Sequence, residues 1–267
     1  LPSCADGVDN DGDDLVDLED SECTSWEDEE DNGAICAWTI ETITTPGGYN
    51  DLGMASLAFD SNGNPGISYL DISEEILKYA SFDGSTWNTE NVDSTDYVTT
   101  GHYAPLAFDS DDHPAIAYYD NTNDDLKYAL YDDSVWTTET VNSDGYFGYG
   151  TSLAFDSEDH PAISYYDFTQ GDLEYVINSA DSWVTTTVDD GTNVGVYNSL
   201  AFDSSGNPAI AYYDSDYHSG QDLEYAWYDR TGWQTQTIDS DGNVGAYPSL
   251  AFDSGDHPAI SYYDSTN

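Results

Sequence analysis

The sequence predicts an all-β fold: a β-propeller of four-stranded blades, five in number, preceded by a small Asp-rich segment. Three observations predict it. Leu-Ala-Phe-Asp-Ser recurs at Leu57, Leu106, Leu153, Leu200 and Leu250, with periods of 49, 47, 47 and 50 residues, and self-similarity at that spacing marks a solenoid or a propeller. Each unit holds four short runs of alternating apolar and polar residues, rich in β-branched and aromatic types, with Gly, Asn, Asp and Pro at the joints. No window carries a helical stripe, and four short antiparallel strands per repeat make a propeller blade.

Taken in order, residues 1–36 stand apart, because they hold Cys4, Cys23 and Cys36, all of the cysteines, and none of the repeat. Within them Asp9 to Asp20 reads as a twelve-residue loop with carboxylates at Asp9, Asp11, Asp13, Asp17 and Asp20. Leu15 offers a backbone carbonyl at the seventh position, and Val16 follows as an apolar anchor. A hard cation takes six to eight oxygens at such alternating spacing, so the loop predicts a Ca2+ site. It departs from the usual pattern at Asp14, where a glycine makes the sharp turn, and at Asp20, where a bidentate Glu is usual. A solvated acidic run is the plainer reading of any Asp-rich stretch; the regular spacing favours calcium.

The stretch from Cys4 through Asp11 to Cys23 resembles the short calcium modules of secreted bacterial surface proteins, and it is similar to the Asp-rich loops of thrombospondin type 3 repeats. The resemblance implies an extracellular or cell-surface setting and a Cys4–Cys23 disulfide, the kind of bond an oxidising compartment allows. Cys36 is then odd: free, buried, or bridged to another chain. Glu27 to Asp31 reads as a solvated linker, and the propeller is expected over residues 37–267.

The first repeat element after the linker, Trp38 to Ile43, matches the strands beginning at Trp87, Trp136, Trp183 and Trp233. It is therefore the last strand of a blade, placed where it closes the ring. A whole unit then runs Ser152–Asp156 (strand A), Pro161–Tyr166 (B), Asp172–Ile177 (C) and Trp183–Val188 (D). Phe59, Phe108, Phe155, Phe202 and Phe252 are expected between blades, with the strand B isoleucines such as Ile116 and Ile163. The fifth unit begins at Leu250 and has strands A and B only. An unpaired strand edge is a template for another strand: further native sequence after Asn267, the Trp38 strand moved inward, or a neighbouring molecule. The last is the expected self-association, and a non-closing contact of that kind would propagate as a filament.

Only 3 Lys+Arg residues (Lys78, Lys127, Arg230) stand against 54 Asp+Glu, for a net charge of -51. Such a surface repels nucleic acid and anionic lipid, and no apolar run is long enough for a membrane span. Asp makes turns and binds hard cations, so its excess suits a loop-rich β protein outside the cell; a saline habitat is the alternative. The chain begins at Leu1 rather than Met, as a processed or partial product would.

By propeller topology the B–C and D–A loops share one face. That face collects Asp71, Asp120, Asp167, Asp214 and Asp264 with Tyr103, Tyr149, Tyr197 and Tyr247. Rings that stack on sugar CH faces beside carboxylates that take hydroxyls make a possible carbohydrate or calcium surface. Residues repeated in every blade are more often structural, the Asp as turn caps and the Tyr as packing. His113, His160 and His257 share a register with Asn64 and Asn207, an exchange that suits a turn hydrogen bond better than a metal. Lys78 and Lys127 share a register with Glu174 and Glu224, which predicts a solvent-facing position; the tryptophans are expected to wedge blades.

Ser81 to Trp87 is similar to the Asp-box turn of sialidase-like propellers, and the blade pattern resembles secreted bacterial propeller repeats. Kinship of fold is what this implies. The activity does not carry over, because sialidases hold the substrate carboxylate with several arginines and this chain has Arg230 alone. The blades are close copies with no singular catalytic constellation, which predicts no enzyme. The expected role is a structural or adhesive extracellular module that self-assembles. A lectin-like propeller binding glycans is the alternative, and a glycoside hydrolase comes third.

Overall fold

The computed structural model describes residues 40–43, 52–94, 103–132, 134–146, 150–180, 182–216 and 220–266. The chain divides into two units, Leu1–Thr45 and Pro46–Asn267. The calcium-loop residues Asp9 to Asp20, the three cysteines and Trp38 lie outside the described residues, as does Tyr149. Residues 40–43, the described part of the expected closing strand, are not in a strand, and Ile40 is 93% exposed.

The second unit is a β-propeller of 18 described strands in antiparallel sheets. Blade 1 comprises β1 (Leu52–Phe59), β2 (Pro65–Asp71), β3 (Ile76–Phe82) and β4 (Trp87–Ser94). Blade 2 comprises β5 (Leu106–Phe108), β6 (Pro114–Asp120), β7 (Asp125–Asp132) and β8 (Val135–Asn142). Blade 3 comprises β9 (Ser152–Phe155), β10 (Pro161–Asp167), β11 (Asp172–Asn178) and β12 (Trp183–Asp189). Blade 4 comprises β13 (Val194–Phe202), β14 (Pro208–Asp214), β15 (Leu223–Tyr228) and β16 (Trp233–Asp239). The fifth unit has β17 (Val244–Phe252) and β18 (Pro258–Asp264), paired as a two-stranded sheet. The first strands of successive blades touch in turn, β1 on β5, β5 on β9, β9 on β13 and β13 on β17, which marks them as the inner strands.

Alternation decides which residues meet between blades. Leu153, Ile163, Tyr165 and Val176 of blade 3 pack on Ala115, Ala117, Tyr119 and Tyr128 of blade 2. The opposite face of blade 3, with Ala162, Leu173 and Tyr175, receives Leu200, Ile210, Tyr212 and Ala226 of blade 4. The alternating small and aromatic positions of strands B and C thus form a layered core between sheets. Phe108, Phe155, Phe202 and Phe252 are half-buried at these interfaces, as expected. Phe59 is the exception at 60% exposed, with Leu57 at 57%. Among the described residues no blade packs against the face of blade 1 that carries Leu57 and Phe59, so the register is right and the burial is missing.

Three polar contacts repeat at these interfaces. A strand B tyrosine hydroxyl bonds to the end of the preceding blade: it donates from Tyr118 to Asp93 at 2.5 Å, from Tyr212 to Asp189 at 2.5 Å and from Tyr262 to Asp239 at 2.6 Å, while the Tyr165 hydroxyl accepts from Asn142 Nδ2 at 3.0 Å. A strand D tryptophan packs edge-on against the preceding blade's strand C tyrosine, in the pairs Tyr79–Trp136, Tyr128–Trp183 and Tyr175–Trp233 at 5.2–5.3 Å; these rings do wedge the blades. In the third contact, the backbone NH and hydroxyl of the serine after three of the inner strands both donate to an aspartate in the next blade's A–B turn. The pairs are Ser61–Asp112, Ser110–Asp159 and Ser204–Asp256, at 2.5–2.9 Å. Those aspartates sit at positive φ (60–66°), a left-handed position that costs a non-glycine residue about 1 kcal/mol and that the two hydrogen bonds offset.

The histidines are turn residues. Nδ1 of His113, His160 and His257 lies 2.9–3.0 Å from Asp109, Asp156 and Asp253, and Nδ2 of Asn64 and Asn207 makes the same contact to Asp60 and Asp203. The Lys/Glu register corrects an expectation, because it is not solvent-facing. Lys78 and Lys127 are only 15–16% exposed and ion-paired, and Glu174 is buried. The contacts differ with the sign: Asp93 of the preceding blade meets Lys127 at 2.6 Å, whereas Glu174 and Glu224 accept from strand D threonines of their own blades, Thr187 at 2.8 Å and Thr237 at 2.7 Å.

Candidate functional site

The B–C and D–A loops do share one face, tied by backbone bonds such as Phe168 to Tyr146 and Ser215 to Asn193. On that face the D–A segments converge where they enter the inner strands. They enclose a cavity of about 190 Å³ lined by Tyr103, Thr151, Tyr197, Asn198, Tyr247 and Pro248. Blades 2, 3, 4 and 5 each contribute to it. The segments approach closely because Gly150 has φ 72° and no side chain; a Cβ there would lie 2.4 Å from the Val196 carbonyl.

Local backbone irregularity aims the rings. β13 shifts register between Val194 and Asn198, and β17 shifts twice between Val244 and Ser249, and such bulges turn a side chain out of the sheet pattern. The Tyr197 and Tyr247 rings lie 4.2 Å apart at 36°, with their hydroxyls 3.2 Å apart. Tyr197 also stacks on Tyr213, at 6.5 Å and 28°. Tyr247 has φ 54° and is 55% exposed. A bulky residue held left-handed with its ring in solvent is strain that packing does not repay, and such strain gathers at binding sites.

Asn198 fixes the floor. Its amide donates to the Gly150 and Gly195 carbonyls, and its Oδ1 accepts from Ser164 at 2.6 Å. Burial raises the Tyr103 hydroxyl above the usual phenol range, and the neighbouring Tyr247 adds to it, so Tyr103 stays a neutral donor and acceptor at any physiological pH.

The predicted residues separate into two groups. Tyr103, Tyr197 and Tyr247 come together in the cavity. The five aspartates do not line it. Asp71 accepts from Ser73 Oγ at 2.7 Å, the Glu74 NH at 3.1 Å and Lys78 Nζ at 2.9 Å. Burial pushes its carboxyl up, but the Lys78, Ser73 and Glu74 hydrogen bonds outweigh that and hold it below the ordinary value. Asp120 accepts from Thr122 and Asn123, Asp167 from Thr169, Asp214 from Asp216 and Asp264 from Thr266. They cap their own B–C turns, the structural alternative. Asn198 and Thr151 were missed by sequence reasoning; the position two residues before the LAFDS leucine varies (Ala55, Ala104, Thr151, Asn198, Pro248), and that variation was the only signal.

No protein-family model matches the chain, and neither does the sequence of any curated protein. Its fold is similar to solved propellers. One is the Penicillium chrysogenum alpha-L-arabinanase complexed with arabinobiose, at 12% identity and TM-score 0.58, covering 81% of this chain and 76% of that one. A second is SapL1 lectin in complex with alpha methyl fucoside, at 15% identity and TM-score 0.55, covering 78% and 72%. A third is AofleA from Arthrobotrys oligospora, at 13% identity and TM-score 0.58, covering 85% and 69%. At these identities the likeness is one of fold: the chain is an all-β propeller of the architecture on which lectins and an arabinanase are built.

Proposed function

We propose that this is a carbohydrate-binding propeller, with the tyrosine-lined central cavity as its sugar site. The observation that carries the reading is Tyr247, strained and exposed, tilted over Tyr197 at the mouth of a cavity that four blades build. Planar rings offer a surface for sugar CH groups, and phenolic hydroxyls both donate and accept. At about 190 Å³ the cavity is smaller than the roughly 300–1,000 Å³ of sites for drug-sized ligands, which suits a single sugar unit or a chain terminus. The described lining carries hydroxyl and amide groups and no carboxylate. Hydrolysis of a glycoside needs a pair of carboxyl groups flanking the bond, so the chemistry favours binding over cleavage. The acidic, Asp-rich composition supports an extracellular setting.

The test is a glycan array with the intact chain and the Tyr247→Gly variant. Glycine suits the left-handed backbone better than tyrosine, so the variant should fold at least as stably and lose glycan retention. Equal retention by both proteins, or sugar release from arabinan by the wild type, would refute the reading.

Exposed sheet faces favour a second role, self-association. Leu57 and Phe59 are bare on blade 1, while β18 has no partner on its outer edge among the described residues and leaves Tyr263 58% exposed. Blades 2 to 5 cover the equivalent leucines with the preceding blade, so the occupant that fits blade 1 is the trailing face of the same repeat, offered by a second copy. Sedimentation of the intact chain should show concentration-dependent association that Leu57→Asp abolishes; a monomer at all concentrations would sink the idea.

A further inference from the structure

The interface between blades 3 and 4 differs from its neighbours in three positions at once. In the A–B turn, Gly206 stands where Asp112, Asp159 and Asp256 receive the serine of the preceding blade. In strand D of blade 3, Thr186 stands where blade 2 has Glu139, whose Oε1 accepts the Trp183 indole NH at 3.1 Å. In the C–D turn of blade 4, Arg230 stands where blades 1 and 3 have Gly84 and Ala180. All three of these turn residues are left-handed, at φ 70°, 89° and 57° respectively. Two side chains are shortened and one is lengthened, and the result is a cleft of about 330 Å³. It is lined by Gly206, Thr186, Asn207, Tyr228, Arg230 and Trp233, among others. It lies at the A–B and C–D turns, away from the D–A segments that build the tyrosine cavity.

Arg230 is the sole arginine of a chain with 54 acidic residues, yet among the described residues it is in no ion pair, whereas Lys78 and Lys127 both are. Its Nε donates to Asn207 Oδ1 at 3.2 Å, which orients the guanidinium and leaves its two terminal amino groups. Asp156, in the cleft wall, and Asp203, whose charge interacts with Arg230, are committed to their own turns. Asp203 accepts from Ser205 and Asn207, and Asp156 accepts from Glu158 and His160. The apolar wall is aromatic, with Tyr228 and Trp233 at 5.7 Å and 67° and Tyr175 edge-on behind Trp233.

We propose that this cleft is a second binding site, specific for a carboxylate-bearing sugar: the guanidinium holds the carboxylate in a two-pronged contact while the ring lies against Tyr228 and Trp233. Asp156 is the one carboxylate among the described lining residues, and its oxygens are taken by the Glu158 and His160 NH groups and by the His160 ring. Acids farther off oppose an anion only weakly, because charge is screened beyond about 8 Å at physiological salt. The site is singular rather than repeated, which separates it from the central cavity both in place and in chemistry.

The experiment compares methyl glucuronide with methyl glucoside, which differ at one carbon, by following the Trp233 indole NH in NMR titrations of the intact chain. Wild type should bind the glucuronide at least about tenfold more tightly than the glucoside. Arg230→Gln should bring the ratio close to one. Gly206→Asp, which restores the Ser157 acceptor and fills the cleft, should abolish the Trp233 shift for both sugars, and Tyr247→Gly should change neither. Equal affinity for the two sugars in the wild type, an unchanged preference in Arg230→Gln, or a glucuronide response that follows Tyr247 instead of Trp233 would overturn the proposal. Because the Tyr247→Gly arm reads the central cavity separately, failure of one site does not imply failure of the other.

Discussion

Replacing Glu224 by Lys should stabilise the propeller by about 2 kcal/mol, and the repeat itself supplies the control. At the blade 1–2 interface Lys127 Nζ lies 2.6 Å from Asp93 and 3.8 Å from Asp120, and it sits over the Tyr118 ring at 5.5 Å. Both partners of the close pair are mostly covered, at 16% and 20% side-chain exposure, so this is not a fully solvated pair of small value. At the blade 3–4 interface Asp189 accepts from Tyr212 just as Asp93 accepts from Tyr118, but Glu224 takes the place of the lysine. Burial raises its carboxyl above the ordinary value, and the negative charges of Asp189, Asp222 and Asp214 raise it further, while Thr237 pulls the other way. A unit charge pair near 4 Å interacts by about 4 kcal/mol at an effective dielectric of 20. Desolvating the lysine and losing the Thr237 hydrogen bond return roughly half of that. For a unit of this length, 2 kcal/mol corresponds to roughly 4–8 °C in Tm. Calorimetry of wild type, E224K, D189N and the double variant closes the cycle. A gain from E224K that is as large in the D189N background as in the wild type would refute the electrostatic account.

Three further outcomes are expected elsewhere in the chain. Phe155→Ala should cost about 2 kcal/mol, below the 3–5 of a fully buried ring, while Phe59→Ala, at an exposed equivalent position, should cost under about 1 kcal/mol; urea midpoints compare them directly. The hydrogen bond to Asp109 raises the His113 imidazolium above its ordinary pKa, so its contribution is complete below about pH 6.5 and is lost as pH rises through the raised value. With the side chain 37% exposed that contribution should stay under about 1 kcal/mol, and His113→Asn should remove the pH dependence while keeping the turn. Calcium should bind the intact chain through Asp9, Asp11, Asp13, Asp17 and Asp20, with heat detected by titration calorimetry and abolished in a D9N/D11N/D13N variant; absence of that heat in the wild type would remove the site.

How far the sequence could be read depends on whether a feature repeats. Strand positions, the Tyr and Ile layers and the His–Asn turn exchange were legible because five aligned copies show which substitutions each position accepts. The Phe59 exposure was not legible, because a repeat pattern assigns each residue a face and says nothing about whether a neighbouring blade covers it. The Lys/Glu register misled for a related reason. Opposite charges at one position suggest water, but here the hydrogen-bond partner changes with the residue: Asp93 of the preceding blade for Lys127, and Thr187 and Thr237 of their own blades for Glu174 and Glu224. The aspartate and tyrosine rings of the candidate face looked equivalent in sequence, and only the bulges in β13 and β17 separate them. A register shift moves a side chain without changing the residue pattern that announces a strand.

The departures from the repeat are therefore where specific chemistry can enter. The blade 1–2 interface makes all three polar contacts between blades: serine on aspartate (Ser61–Asp112), tyrosine on aspartate (Tyr118–Asp93) and lysine on aspartate (Lys127–Asp93). The blade 3–4 interface breaks two of these contacts, through Gly206 and Glu224, and keeps the third through Tyr212 and Asp189. It should accordingly be the least stable of the internal joints, since each lost contact is a mostly additive nearest-neighbour term in a repeat protein. Restoring either contact separates two explanations. If the joint is weak only by sequence drift, Gly206→Asp and Glu224→Lys should each stabilise the fold with no effect on binding. If the open cleft is a site, Gly206→Asp should stabilise the fold and eliminate glucuronide binding, while Glu224→Lys, which does not line the cleft, should stabilise it and leave binding intact.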